Sequence, residues 1–425
     1  MRAAPKPPVE VKRKPVWTCD ARVVLITRLF GGGARTREVD DLCWLRSSAA
    51  KSALRSWWRA AHAHEFESLE TLRQKEQQLF GAPGTFDKDG KVQGGPGALT
   101  VTTSGQLATA PATYRESLGS PLNYALFPAQ DMGQEAARVA EPSPQSWSVI
   151  HLASPAPEEE RKILLESLRI WLTLGGVGAR SRRGCGAVAV GKPEEARKLG
   201  LPATLPELEA FLRRYCARRD VNLDGLFSLA RTRKVFLGRP ESTGEKAQIE
   251  LLKALKKARQ DRKQSKNKYG RSNWPEPQAV RLKHDPHQDW LYGAETVNAG
   301  QYPRVALGLP IILHFKDKAA EPPDHHILGA LPDKDKWKKL ERYSSPLLLR
   351  PVRIWERDRA VYIPVAIFTD CTLPAEARPL VTTDPKGDAK ARDVMKDYDI
   401  RAHADATLAR IEKVFENDGT FRSLF

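Results

Sequence analysis

Residues 175–186, which read GGVGARSRRGCG, are rich in glycine and arginine. The five glycines of this segment allow the backbone to approach a partner closely and to adopt positive φ angles. Its three arginines supply planar guanidinium groups that donate paired hydrogen bonds to phosphate oxygens. We therefore predict that this segment, the Gly/Arg loop, contacts a phosphate-bearing ligand. The predicted contact residues are Gly175, Gly176, Gly178, Arg180, Arg182 and Arg183.

The segments on either side of the Gly/Arg loop predict how it is held. Residues 158–174 carry apolar side chains at helical spacing and predict a helix. Residues 187–190, AVAV, are apolar with β-branched valines at alternate positions, and they predict a strand. A packed helix and a strand would hold the cationic side chains on a rigid base. A loop of this composition on its own is more simply a solvated turn, so the phosphate interpretation needs a second basic element.

The predicted helix that begins near Ser47 and runs to about His62 is that second element. Three basic side chains at positions i, i+4 and i+8 share one face of it. Two adjacent tryptophans lie about 100° apart around the same helix, so one packs in the core while Trp58 packs on a base or on an arginine. Two core tryptophans beside a solvated basic face are the alternative. With two preceding arginines, the predicted contacts are Arg35, Arg46, Lys51, Arg55, Trp58 and Arg59.

The charge of the chain favours a polyanionic partner. The 425 residues include 69 Lys and Arg against 52 Asp and Glu, which gives a formal net charge of +17 and a pI near 9.7. Nucleic acid is the commonest partner of such a chain. A basic helix predicted over 245–264 leads towards Lys268 and Arg271, with aromatic residues nearby. This run predicts either a second nucleic-acid contact or a docking segment for a partner subunit.

Several classes of protein are excluded by composition. The five cysteines are scattered and include no CxxC pair, which excludes a disulfide framework or a zinc ribbon and indicates a reducing cytoplasm. The first residues have no apolar signal region, and no apolar run reaches the roughly 18 residues that span a bilayer. The sequence therefore predicts a cytoplasmic protein without membrane contact.

Catalytic signals are weak, and we predict no catalytic residue, metal site or cofactor. The nine histidines are dispersed, and no nucleophile with an adjacent base is evident. Asp40 and Asp41 are the exception, since a carboxylate pair after the first strand can hold a metal ion for RNA cleavage. Paired aspartates in loops are more often turn or cap residues.

The order of predicted elements indicates an α+β fold. Strands and helices over residues 16–192 follow a β-α-β-β-α-β order, which is typical of the ferredoxin-like fold shared with RNA-recognition modules (RRM). Residues 193–206 are interpreted as a linker, and residues 193–425 as a second α+β domain that begins with this linker and contains the basic helix. Residues 1–15 form an arm rich in Pro and Lys.

Ordered motifs along nearly the whole chain resemble one family. They are GGGA at 31–34, RSS at 46–48, ALRSWWRA at 53–60, ExxLFG at 76–81, the Gly/Arg loop, GRSNWPE at 270–276, PRVALGLP at 303–310 and SSPL at 344–347. In this order they resemble the RAMP superfamily of CRISPR proteins, and within it subunit one of the Cmr (type III-B) effector complex. The resemblance implies two packed ferredoxin-like (RRM-like) domains, the second more elaborated.

The same resemblance implies a function in antiviral defence. Such a subunit lies at one end of a ribonucleoprotein, near the 3′ end of the guide RNA, and contacts guide RNA, target RNA and other Cmr subunits. Cutting of the target is assigned in this family to a different, repeated subunit. Our leading hypothesis is a non-catalytic RNA-binding subunit. The alternatives are a metal-dependent endoribonuclease that uses Asp40 or Asp41, and a scaffold that contacts only proteins.

Overall fold

A computed structural model describes residues 16–35, 37–41, 43–86, 92–114, 121–129, 137–260, 272–285, 301–315, 321–334, 336–340 and 342–425. The helices are α1 Ser47–His62, α2 Leu69–Phe80, α3 Leu122–Ala125, α4 Glu158–Leu174, α5 Pro193–Leu199, α6 Leu205–Tyr215, α7 Gly244–Arg259, α8 Glu276–His284 and α9 Ile400–Glu416. The strands of the first half are β1 Trp17–Leu25, β2 Leu29–Phe30, β3 Ala82–Phe86, β4 Val92–Gly95, β5 Thr100–Gln106, β6 Ala112–Thr113, β7 Arg138–Ala140, β8 Trp147–Ser154 and β9 Val188–Val190. Those of the second half are β10 Thr232–Gly238, β11 Ile311–Leu313, β12 His325–Asp333, β13 Lys336–Leu340, β14 Leu347–Glu356, β15 Arg359–Thr369, β16 Arg378–Thr382 and β17 Phe421–Ser423.

The first lobe is built on an antiparallel sheet with the strand order β5-β8-β1-β9. Strand β1 pairs with β8, and Asp20 lies opposite His151. As in any β-strand, successive side chains of β1 point to opposite faces of the sheet. On one face α1 and α4 bury a core in which Val23, Leu54 and Leu168 are fully enclosed. Along the chain, the elements of this lobe follow the order β1-α1-β5-β8-α4-β9.

The second lobe repeats this arrangement. Its antiparallel sheet has the order β14-β15-β10-β17, and its elements follow the chain order β10-α7-β14-β15-α9-β17. The rings of Phe236, Phe368 and Phe415 pack between this sheet and its helices, with centroids 5.4–5.7 Å apart. In each lobe, therefore, the first strand lies between the third and fourth strands, and the second strand forms an edge.

The second lobe is the more elaborated one. Between α7 and β14 the chain forms α8 and strands β11 to β13, which pair in that order, and β16 pairs with β12. In the first lobe the additions are smaller and consist of the sheet β2-β7-β6 and the hairpin β3-β4. The chain thus combines helices with antiparallel sheets, and the predicted α+β class is confirmed.

The two lobes share a continuous core. The second face of the β14-β15-β10-β17 sheet packs on helices α4 and α6, where Ile170, Leu208, Val235, Ile354 and Ile363 are fully buried. Strands β14 and β15 are consequently covered on both faces, which explains their long apolar runs.

Several predicted boundaries are corrected. Residues 193–206 are not a linker, because Pro193 begins α5 and Thr204 caps α6 by accepting a hydrogen bond from the amide of Glu207. The basic helix α7 ends at Arg259, and the predicted contacts Lys268 and Arg271 lie outside the described residues, as does the arm 1–15. The predicted helix 158–174 is confirmed as α4.

Candidate nucleic-acid interface

The glycine segment after β2, residues 31–33, packs backbone to backbone on the Gly/Arg loop. The amide of Ala179 donates to the carbonyl of Phe30 at 2.7 Å, and that of Gly186 donates to the carbonyl of Arg28 at 2.7 Å. A Cβ atom on Gly178 would lie 2.6 Å from the oxygen of Phe30. The segment after β2 and the Gly/Arg loop therefore fit together only because glycine is present at their contact.

The glycines of the loop serve internal packing. A Cβ atom on Gly175 would lie 2.3 Å from Cδ1 of Trp171 and 2.4 Å from Nε1 of Trp57. One on Gly176 would lie 3.1 Å from the carbonyl oxygen of Cys185. The prediction that these glycines let a ligand approach the backbone is thus corrected, since they let α1, α4 and the loop approach each other.

The loop places two of its arginines beside a tyrosine from α3. Arg180 adopts a left-handed conformation with φ of 60°, and the amide of Arg183 donates to its carbonyl at 2.8 Å. The guanidinium of Arg183 lies 5.0 Å from the ring centroid of Tyr124. Two further arginines, Arg259 at the end of α7 and Arg304 in the turn 303–307, are joined by a hydrogen bond of 3.4 Å from Nη1 of Arg304 to the carbonyl of Arg259. The charges of Arg180, Arg183, Arg259 and Arg304 all lower the pKa of Tyr124, and we call these four residues the arginine cluster.

Electrostatics within the arginine cluster are dominated by positive charge. Burial alone raises the pKa of Tyr124, yet the four surrounding guanidinium groups outweigh burial and hold that pKa below its ordinary value. Burial lowers the pKa of Arg183 to about 10, with further lowering by Arg259 and Arg180. Burial, and then the charge of Arg259, also lower the pKa of Arg180.

One carboxylate balances this cluster within the described part of the chain. Glu276 is fully buried, and its oxygens accept hydrogen bonds from Nε of Arg304 at 3.0 Å and from the Arg304 amide at 2.6 Å. Nη2 of Arg304 is buried and has no hydrogen-bond partner in that same part of the chain. Among the described residues, no carboxylate forms an ion pair with the other three arginines. Such a group of desolvated cations is stabilised by an anion, and phosphate suits the forked guanidinium donors.

Arg182 points away from this cluster and into the protein. Its Nη1 donates to the carbonyl of Ser345 at 2.8 Å, and its guanidinium lies 4.0 Å from the ring centroid of Phe227. Its carbonyl accepts from the amide of Leu349 at 2.9 Å, which attaches the loop to β14. The prediction that Arg182 binds a phosphate is corrected, because its side chain joins the two lobes.

The predicted basic face of α1 is occupied within the first lobe. Nε of Arg55 binds one oxygen of the buried Glu76, and Nε of Arg59 lies 3.7 Å from the other. Nη1 of Arg55 also donates to the carbonyl of Gly81 at 3.3 Å. Burial, and then the nearby charge of Arg55, lower the pKa of Lys51. Arg55 and Arg59 thus join α1 to α2. Among the described residues, neither of them contacts a member of the arginine cluster.

Trp58 is the core tryptophan of the pair. Only 1% of its surface is exposed, and its ring packs on Phe66 and Phe80 with centroids 5.9 and 6.0 Å apart. The predicted stacking of Trp58 on a base is corrected for this reason. Trp57 instead faces the loop and packs edge-on against Phe227 at 6.3 Å, on the ring that also carries Arg182.

Two predicted contacts retain an open assignment. Arg35 is exposed at the end of the glycine segment. Arg46 holds the N-cap position of α1, where its Nε is buried without a hydrogen-bond partner among the residues that the structure describes. Both stay predictions.

Sequence reasoning missed two members of the site, Tyr124 and Arg304, and predicted Arg259 only as part of the basic run. Arg259 lies within the basic helix that was noted for its charge, and Arg304 lies within a family motif, but neither pattern indicates a side chain's direction. Tyr124 sits in a stretch rich in Pro, Gly and Ala that carries no periodic signal. Only the tertiary contacts bring these side chains together.

The two aspartates of the alternative hypothesis have structural partners. Oδ1 of Asp40 accepts from the amide of Cys43 at 3.2 Å, and Oδ2 of Asp41 accepts from Nη1 of Arg138 at 3.3 Å. Within the described residues, no group of three or more His, Cys, Asp or Glu side chains is arranged to hold a metal ion. In the same part of the chain, no helix has both the length and the apolar character to cross a membrane.

Comparison with known proteins indicates which protein family this chain resembles. The sequence profile of the RAMP superfamily matches residues 22–189, which contain most of the first lobe and the whole Gly/Arg loop. The predicted resemblance to the RAMP superfamily is confirmed. A curated relative, the CRISPR system Cmr subunit Cmr1-1 of Pyrococcus furiosus, is 26% identical over 181 residues. This match covers 41% of the present chain and about half, 49%, of the relative, and it supports the predicted likeness to subunit one.

Two solved structures of Cmr proteins align over most of the chain. The apo crystal structure of Cmr1 from Pyrococcus furiosus aligns over 96% of this chain and 99% of its own, with 17% identity and a TM-score of 0.49. A chain of the type III-B Cmr-beta complex, determined by cryo-EM with cognate target RNA and AMPPnP, aligns over 93% of this chain and 98% of its own. Its identity is 10% and its TM-score 0.38.

Proposed function

We propose that this chain is a non-catalytic RNA-binding subunit of a type III-B CRISPR (Cmr) effector ribonucleoprotein. The observation that carries the proposal is the arginine cluster, in which Arg183 lies over Tyr124 and Arg304 donates to the carbonyl of Arg259. Among the described residues, Glu276 is the one carboxylate that pairs with this cluster. Backbone contacts of the Gly/Arg loop hold two of these groups on the surface of a shared core. Phosphates of an RNA strand supply the negative charge that this arrangement lacks.

Membership of a Cmr complex is the second part of the proposal. The curated relative is named as a Cmr subunit, and that name supports a similar place for this chain. Guide RNA, target RNA and the other Cmr subunits are then its partners, with the contact near the 3′ end of the guide. Cleavage would belong to another subunit, which agrees with the structural partners of Asp40 and Asp41.

We further propose that both lobes are ferredoxin-like domains, with a boundary near residue 193. The chain order β-α-β-β-α-β and the antiparallel sheet order, with the first strand between the third and fourth, occur in both lobes and support this assignment. In such a domain the connection after the second helix, here the Gly/Arg loop, leads directly into an edge strand.

Salt dependence of RNA binding tests the proposed function. Removing the cation that neutralises one phosphate of a single strand makes the slope of log K against log salt shallower by about 0.7. We expect the double variant Arg180→Gln/Arg259→Gln to bind single-stranded RNA more weakly, with a slope shallower by about 1.4 (twice 0.7). Fluorescence anisotropy over a salt series measures both quantities.

A matched control removes the same charge elsewhere. Arg359 and Arg392 are exposed, and the variant Arg359→Gln/Arg392→Gln should keep the affinity and slope of the wild-type chain. Equal slopes in all three proteins would contradict the proposed site. RNA cleavage in Mg²⁺ that is lost in Asp41→Asn would favour the endoribonuclease instead.

A further inference from the structure

An exposed aromatic ring follows Tyr124 of the arginine cluster by three residues. Phe127 keeps 40% of its surface in solvent, although its neighbours Leu126 and Ala129 are 1% and 0% exposed. Phe127 therefore contributes little to the core that its own segment helps to form. A large apolar ring in this position is available to a partner.

The backbone that carries Phe127 is held firmly. Nη1 of Arg37 donates to the carbonyl of Pro128 at 2.8 Å, and Nη2 donates to that of Ala129 at 3.3 Å. The amide of Ala129 donates to the carbonyl of Leu126 at 2.7 Å. Because Arg37 follows residues 31–33, which pack on the Gly/Arg loop, these bonds tie the backbone that carries Phe127 to the segment beside that loop. A ring on a fixed backbone loses little conformational entropy when it is covered.

Phe127 also lies near the phosphate-binding groups in the chain. It follows Tyr124 of α3 by three residues and begins the short 3-10 turn Phe127–Ala129. The ring of Tyr124 in turn lies under the guanidinium of Arg183. Sites for single-stranded nucleic acid combine cationic side chains along the backbone with aromatic rings on which bases stack.

We propose that Phe127 stacks on a nucleobase of the RNA strand whose phosphates the arginine cluster binds. This inference rests on the proposed function and adds a base contact to it. Phenylalanine has no hydrogen-bonding group, so the contact recognises the face of a base and accepts any of the four bases.

Paired oligonucleotides test the inference on the full-length chain. The probes are a single-stranded oligoadenylate and an abasic ribose-phosphate oligomer of the same length, which has the phosphates but no bases. We expect Phe127→Ala to weaken binding of oligoadenylate by about 5- to 150-fold, the usual range for removal of one base-stacking ring. Binding of the abasic oligomer and the salt slope should not change, because no charge is removed.

Two further variants separate stacking from other effects. Phe127→Tyr keeps an aromatic face and should restore the affinity for oligoadenylate. Ile312→Ala removes an apolar side chain that is similarly exposed, at 38%, on β11, and should bind both probes like the wild-type chain.

The outcomes distinguish this inference from the proposed function. If Phe127→Ala binds oligoadenylate with wild-type affinity, the base contact is overturned and Phe127 is available for a protein partner. In that case a shallower salt slope in Arg180→Gln/Arg259→Gln would still support RNA binding. Equal losses on both probes would also overturn it, because a stacking ring does not act on an abasic strand. A wild-type chain that binds neither probe would overturn the proposed function together with this inference.

Discussion

At the scale of single residues, neighbouring arginines of one loop act in different ways. Arg180 and Arg183 belong to the arginine cluster, whereas Arg182 lies on Phe227 and donates to Ser345 on the second lobe. These arginines are only one or two residues apart in the chain. Their side chains point in different directions because the loop turns between them. Replacing all three together would therefore mix a loss of charge in the interface with a loss of stability.

Arg182→Lys tests this division of roles. Lysine keeps the charge but lacks the planar fork that both stacks on Phe227 and reaches Ser345. We expect the free energy of unfolding, measured by urea denaturation, to fall by about 1–3 kcal/mol. The salt slope of RNA binding should match that of the wild-type chain. An unchanged stability with a shallower slope would instead return Arg182 to the phosphate contacts.

At the scale of elements, the start of the Gly/Arg loop depends on close packing of two helices. Gly175 follows α4 directly, and its amide donates to the carbonyl of Trp171 at 2.7 Å. The indoles of Trp171 and Trp57 approach it so closely that no side chain fits. Helices α1 and α4 thereby determine where the loop leaves the first lobe.

Gly175→Ala tests that dependence. The added Cβ atom forces Trp171 or Trp57 to move, so we expect a loss of about 1–3 kcal/mol in the free energy of unfolding. RNA affinity should also fall, since the loop shifts with the tryptophans. Gly419→Ala is the matched control, because a Cβ atom at Gly419 meets nothing within 4 Å. Equal stability of the two variants would show that the loop does not require this packing.

At the scale of the whole molecule, one buried arginine connects the second lobe to both ends of the Gly/Arg loop. Arg350 on β14 is 1% exposed and donates to the carbonyls of Leu172 and Thr173 at 3.0 and 3.1 Å, just before the loop. It also donates to Val188 at 2.6 Å, just after the loop. Burial lowers the pKa of Arg350 to about 9, so its guanidinium is charged at neutral pH.

Arg350→Met should release this connection. The variant keeps much of the side-chain volume but leaves three buried carbonyls without their donor, which we expect to cost about 2–4 kcal/mol of unfolding free energy. Hydrogen exchange should rise in residues 175–186, because both ends of the loop lose their anchor. Arg359→Met, at an exposed site on β15, should change neither. Unaltered exchange in the loop would limit Arg350 to a general packing role.

Local patterns predicted much of the fold. The apolar spacing of residues 158–174 and the alternation near 188–190 correctly placed α4 and β9 on either side of the loop, since these signals depend on near neighbours in the chain. The same reasoning was wrong at residues 193–206, where proline was interpreted as part of a linker although it begins α5.

By itself, the sequence determined the charge of the protein, its α+β class and the presence of a loop rich in glycine and arginine. The tertiary structure alone decided which cations are paired. A carboxylate at Glu76 takes up Arg55 and Arg59, whereas Arg259 and Arg304 arrive from the second lobe to join Arg180 and Arg183 around Tyr124. The physical reason is that an ion pair depends on distances of a few ångströms between residues far apart in the chain. Composition and spacing along the chain carry no measure of those distances.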